Sequence, residues 1–184
     1  MIITIARCYG SGGKEIGKLL AKSLGINYYG REILESDSGD DGDILFGCDE
    51  SFPSSSFSKA DELFKKQSDA IMKIAARESC VIVGRCADYV LKDREDTVKI
   101  YLYAPQRACM RRIIRLYELN PDDAKSLIHT MNKTRGDYYY HNTGQLWSDP
   151  THYDLCINTA GLEQRECVEL IKDYLKLKKM MIEK

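Results

Sequence analysis

The chain has 184 residues, 43% of them hydrophobic and 30% charged, which sets the scale of one soluble domain with room for a small insert or lid. Its 27 Lys and Arg stand against 28 Asp and Glu, a net charge of -1, so no overall positive field draws it to nucleic acid or holds it on an anionic membrane. No apolar run approaches the roughly 20 residues of a membrane span, and the apolar start Met1-Ile2-Ile3-Thr4-Ile5 lacks the basic leader of a signal peptide, so a cytoplasmic protein is expected.

In chain order, Met1–Ala6 is a short apolar run with β-branched residues and predicts a buried strand. Gly10-Ser11-Gly12-Gly13 follows as a tight loop, and Ile16, Leu19, Leu20 and Leu24 then recur at helical spacing until Gly25 closes the helix. Asn27-Tyr28-Tyr29 predicts a second, short strand. Ser36 to Phe57 is an acidic stretch rich in Gly and Ser, expected as a solvated loop. A calcium loop counted from Asp37 puts Gly42 at the turn position, but Gly39 and Cys48 fall where oxygen ligands are needed, so that reading fails.

Ala60–Ser79 predicts an amphipathic helix, with Leu63, Phe64, Ile71, Ile74 and Ala75 on one side. Cys80-Val81-Ile82-Val83 predicts a fully buried strand with Gly84-Arg85 at its end. Val98–Tyr103 predicts another, followed by a basic helix carrying Arg107, Arg111, Arg112 and Arg115. Pro121 opens a further helix with Asp122 and Asp123 in its first turn, where the helix dipole favours negative charge. A tyrosine-rich stretch from Lys133 to Trp147 reads as a lid, Leu155–Thr159 as the last strand, and Glu163–Met181 as the closing helix. The seven cysteines include no C-x-x-C pair and read as reduced thiols, several of them small core residues, rather than as metal ligands. Apolar strands alternating with helices imply a single three-layer α/β domain with parallel strands, whose ligands bind outside the strands' C-terminal ends.

Both chemically rich segments stand at such ends. In Gly10-Ser11-Gly12-Gly13-Lys14-Glu15 the glycines let backbone N–H groups converge on an anion at a helix N-terminus, and phosphate is the natural guest. Arg85 can clamp a phosphate bidentately, although a surface arginine or an ion pair with Asp88 is an equal alternative. Arg107, Arg112 and Arg115 read as a solvated helix face. Lys133 and Arg135 read as cations of the lid.

These pieces resemble the nucleoside monophosphate kinases, and specifically the cytidylate kinase-like family. The matching segments are Ile3-Thr4-Ile5, Arg7 and Gly10–Gly13; Leu24-Gly25-Ile26-Asn27-Tyr28-Tyr29-Gly30-Arg31-Glu32-Ile33-Leu34; Val81–Leu91; Lys133–Tyr140; Thr143–Asp149; and Tyr153–Thr159. The resemblance implies a P-loop kinase fold with a five-stranded parallel sheet, a helical acceptor-binding insert near 36–78 and a lid near 118–150. It implies transfer of the ATP γ-phosphate, with Mg2+, to a nucleoside monophosphate or a related small acceptor. Gly10, Ser11, Gly12, Gly13, Lys14 and Glu15 would then hold the donor. Arg31, Arg85 and Asp88 would hold the acceptor, and Lys14, Arg85, Lys133 and Arg135 would act in transfer.

The chain departs from the cytidylate kinase pattern at four positions. The loop lysine falls on Gly13, with Lys14 one residue late. The Mg2+-binding hydroxyl falls on Glu15, which would either ligate the ion or repel the phosphates. The aspartates of the D-G-R-D and Y-Y-D-R-E motifs fall on Val83 and Gly30. These changes keep a second expectation open: a nucleotide- or phosphometabolite-binding protein without turnover.

Overall fold

The computed structural model describes residues 1–30 and 57–182. Arg31, the acidic stretch and the failed calcium loop lie outside the described residues. Five strands, β1 (Ile2–Arg7), β2 (Asn27–Tyr29), β3 (Cys80–Val83), β4 (Thr97–Tyr103) and β5 (Leu155–Asn158), form one parallel sheet in the order β2-β3-β1-β4-β5. Among the described residues six α-helices accompany them: α1 (Gly13–Leu24), α2 (Phe57–Arg77), α3 (Ala87–Val90), α4 (Gln106–Tyr117), α5 (Pro121–Thr143) and α6 (Gln164–Ile182). This is the P-loop kinase architecture with the expected five parallel strands.

β1 is central, and Ile2 through Ala6 are all buried because helices cover both faces of the sheet. On one face Ile3, Ile5, Val81, Ile100 and Leu102 meet Ile16 and Leu20 of α1 and Ile171 and Leu175 of α6. On the other, Ile2, Cys80 and Ile82 meet Ile71 and Ile74 of α2 and Leu91 beyond α3. Burying each such side chain stabilises the fold by about 1.5–3 kcal/mol. Cys80, Cys86, Cys109 and Cys167 are buried small side chains.

α1 ends where Gly25, at φ +65°, supplies the left-handed turn. α5 starts behind Asn120, whose side chain accepts from the Asp123 N–H, with Pro121 in the first turn. The stretch from Lys133, expected as a lid, continues α5 to Thr143 and buries Tyr138 and Tyr139. The chain leaves β3 on one side of β1 and next enters the sheet on the other side as β4. That change of direction opens a crevice at the C-terminal ends of β1 and β3.

Candidate active site

Strand pairing builds the site. Ile5 lies opposite Val83, and the Gly84 N–H donates to the Ile5 carbonyl at 3.0 Å, so the loop after β1 and the turn after β3 stand side by side. The loop turns tightly, with Ser11 N–H and Oγ both donating to the Cys8 carbonyl at 3.3 and 2.9 Å. Gly10 and Gly12 both sit at φ +84°, and a Cβ on Gly10 would lie 2.8 Å from the Cβ of Cys109 in α4. Only glycine meets both demands. The Tyr9 N–H donates to Asn132 Oδ1 of α5 at 2.7 Å, and Thr159 Oγ1, just after β5, donates to the Ser11 carbonyl at 2.9 Å. The loop is thereby fixed by three distant elements.

No side chain caps α1 at Gly12, and a cleft of about 280 Å3 lies beside its first turn, lined by Gly10, Gly12, Gly13, Lys14 and Glu15 among others. Lys14 is exposed there. Glu15 Oε2 pairs with Arg112 Nη2 at 3.2 Å. Arg112 is only 20% exposed and lies over Gly12, a correction to its reading as part of a solvated helix face. Arg107 and Arg115 are exposed, as expected. The signal that could have singled out Arg112 is its place between Cys109 and Ile113, which bury α4 against α5 and the loop.

The second cleft follows β3 and is lined by Arg85, Asp88, Arg135, Tyr139 and Trp147, among others. Gly84, Arg85 and Cys86 all have positive φ, at 84°, 59° and 55°. The two non-glycine residues cost about 1–2 kcal/mol each in this region, strain that a packed structure tolerates where it places a working side chain. Asp88 is buried and its Oδ2 accepts from the Tyr139 hydroxyl at 2.7 Å. Burial pushes its carboxyl up from the ordinary value, opposed by that hydrogen bond.

Arg135 reaches both clefts from α5, donating to the Arg7 carbonyl at 3.2 Å with its guanidinium carbon 5.2 Å from the centre of the Tyr9 ring. Lys133, two residues earlier, is not brought to the site. It is exposed and pairs with Asp137 on the outer face of α5. Cys8 lies under the loop with its sulfur 3.1 Å from the Tyr101 hydroxyl, and burial pushes its thiol up, so it stays neutral and no nucleophile.

The cytidylate kinase-like family pattern matches residues 2–161. The chain belongs to the cytidylate kinase-like family. It is 27% identical over 181 residues to the cytidylate kinase of Sulfurisphaera tokodaii, covering 95% of both chains. Its structure resembles that of an uncharacterized protein from Eubacterium ventriosum, with TM-score 0.81, 25% identity and coverage of 96% of this chain and 98% of that one. A shikimate kinase from Bacteroides thetaiotaomicron shares the fold with TM-score 0.63 at 15% identity, over 96% of this chain and 98% of that one. A deoxyadenosine kinase from M. mycoides, solved with dCMP and dCDP bound, does so with TM-score 0.55 at 16% identity, over 96% and 99%.

Proposed function

We propose that the chain is an ATP-dependent phosphotransferase that moves the γ-phosphate to a nucleoside monophosphate or a related small acceptor. One observation carries the reading. An uncapped glycine loop at a helix N-terminus adjoins an arginine turn on the paired strand, and Arg135 lines both clefts. The N–H groups of Gly10–Lys14 cradle donor phosphates, with Lys14 adding charge at the rim. Arg85 holds the acceptor phosphate and Arg135 spans the two. An acceptor phosphate is already an anion, so no general base is required, and catalysis is positioning plus charge neutralisation.

The loop fits a phosphate chain, because Gly10 and Gly13 have no room for a Cβ, which would fall under 3 Å from Cys109 and Arg7, and without side chains there the loop backbone can approach an anion closely. For Mg2+, Glu15 is the one carboxylate among the described residues lining the loop cleft. A nucleotide-borne Mg2+ needs one or two carboxylates. Bound there, the ion would neutralise phosphate charge. Arg112 already offsets the Glu15 charge, which removes much of the repulsion a bare carboxylate would exert on the donor. A third cleft of about 380 Å3, lined by Gly10, Ser11, Arg111, Thr159 and Gly161, flanks the loop on its β5 side and has the size of a nucleoside site.

The test is a coupled ADP-release assay with ATP and Mg2+ across CMP, dCMP, UMP, AMP and smaller phosphorylated acceptors. Acceptor-dependent turnover is expected. Arg85→Ala should weaken acceptor binding while leaving ATP affinity in place, and unchanged acceptor affinity would remove Arg85 from that role. A second reading, a binding protein without turnover, is favoured by Gly13 and Glu15 standing where a lysine and a hydroxyl are needed. Calorimetric nucleotide binding with no turnover on any acceptor would support it.

A further inference from the structure

We infer that Arg7 supplies the cation that the loop lacks at Gly13, placing a guanidinium at the point where the transferred phosphoryl group crosses between the two clefts. The inference rests on the phosphotransferase reading and adds a residue to it. Arg7 is the last residue of β1, and its side chain occupies the space that two glycines leave open. A Cβ on Gly13 would stand 2.7 Å from both Cβ and Cγ of Arg7. A Cβ on Gly84 would run into the Arg7 guanidinium, meeting Nη1 first. The stem of Arg7 therefore lies against the loop, and its charged end lies over the turn that carries Arg85.

That path places the charge between donor and acceptor. Three residues line both the loop cleft and the Arg85 cleft: Arg7, Val83 and Arg135. Val83 is apolar, so the charge at the junction comes from Arg7, rooted in β1, and from Arg135 of α5, which donates to the Arg7 carbonyl and covers the Tyr9 ring. It is half-buried at the end of the central strand, where a fixed charge acts more strongly than at the exposed Lys14. In the reaction an acceptor phosphate oxygen donates an electron pair to the γ-phosphorus. The bond from that phosphorus to the β–γ bridging oxygen breaks, and its electron pair leaves on ADP. Arg7 stays protonated throughout and donates hydrogen bonds to the equatorial oxygens of the group in flight.

The experiment compares Arg7→Met, Arg7→Lys and Lys14→Met with the unaltered chain, by turnover in the ADP-release assay and by calorimetric titration with ATP and Mg2+. Melting temperatures serve as the folding control. Arg7→Met keeps most of the stem and removes the charge. It should lower kcat by about 100-fold or more, the scale seen when one preorganised donor is removed. Lys14→Met should cost less than about tenfold, because its charge is exposed and solvent-screened. Arg7→Lys, which restores charge without the planar fork, should recover part of the loss, and it carries the test if Arg7→Met fails to fold. Turnover of Arg7→Met within about threefold of the unaltered chain, or a Lys14→Met that is the dead variant, would overturn the inference while the phosphotransferase reading stands. If the unaltered chain turns over no acceptor, that reading fails and the titration decides. A Kd for ATP raised about tenfold by Arg7→Met would keep Arg7 as a phosphate ligand, and an unchanged Kd would overturn it.

Discussion

Gly13→Ala sets two effects of opposite sign against each other. Gly13 begins α1 and carries no left-handed φ, so helix propensity alone favours alanine there by up to about 1 kcal/mol. The new Cβ, however, would lie 2.7 Å from Cβ and Cγ of Arg7. Those atoms are anchored to the strand and cannot swing away as a side-chain tip would, so the site is overpacked, at a cost of about 1–3 kcal/mol. The expected net result is a loss of about 1 kcal/mol, a fall of about 0.5 M in the urea midpoint at the usual slope for a protein of this size. In an Arg7→Gly background the opposing atoms are gone, and the same change should stabilise. The coupling between positions 7 and 13, measured by urea denaturation of the four-protein cycle, is therefore about 1–3 kcal/mol. An upward midpoint shift for Gly13→Ala in the unaltered background, with no dependence on residue 7, would refute the packing argument and the slot it describes.

Arg112→Ala should raise the Kd for ATP about fivefold, the equivalent of about 1 kcal/mol for a partly exposed pair, because Glu15 is left as a bare anion beside the loop. Titrated with ATP free of Mg2+, Glu15→Gln in the same background should restore it, and a calorimetric titration in which neither change matters would show the pair to be idle. Asp88→Asn should alter the pH profile of stability. The folded carboxyl holds its proton more tightly than the unfolded one, so the unaltered chain loses stability as pH rises from about 4 through the raised folded value, then levels off. The amide has no such loss, so the melting-temperature difference in its favour should grow across that window; a pH-independent difference would contradict the burial argument. Lys133→Ala should change kcat by less than about twofold, since an exposed pair with Asp137 on the outer face of α5 does little; a larger drop would put Lys133 back among the working cations.

The middle of the sheet was legible because β1 and β3 are buried on both faces and therefore nearly continuous in apolar residues. Ile2–Ala6 and Cys80–Val83 needed no periodicity to be seen. The glycine loop was legible as a tight turn before a helix from composition and from the helix pattern behind it. What remained hidden depends on orientation. Lys133 and Arg135 read as one pair of cations when the segment is taken as a lid, but on a helix residues two apart differ by about 200°, which sends one to solvent and the other over the loop. Arg112 follows Arg111 by one position, and only the burial of Cys109 and Ile113 shows which of the two faces the loop. Arg7 matched the family pattern without a role. Its partners Gly13 and Gly84 lie far apart in sequence, and their openness means something only once β1 and β3 are paired.

Taken singly, the departures at the site read as losses, but in the folded chain each sits beside a compensating group or removes a charge. On the donor side, Gly13 opens the space that Arg7 fills, and Glu15 is matched by Arg112. On the acceptor side, two positions that the resemblance assigns to aspartate are Val83 and Gly30. Val83 is buried, and its Cγ2 would stand 2.8 Å from a Cβ on Gly17, so a carboxylate there would be forced against α1 in apolar surroundings. The carboxyl that remains, Asp88, is buried, and burial pushes its pKa up against the opposing hydrogen bond from Tyr139. Arg7, Arg85 and Arg135 line that cleft, with Asp88 as the one carboxylate among its described lining residues. Under the phosphotransferase reading proposed above, that set of arginines would disfavour a neutral acceptor hydroxyl, which would need a base to take its proton, and would favour an acceptor that brings its own negative charge, such as a phosphate monoester.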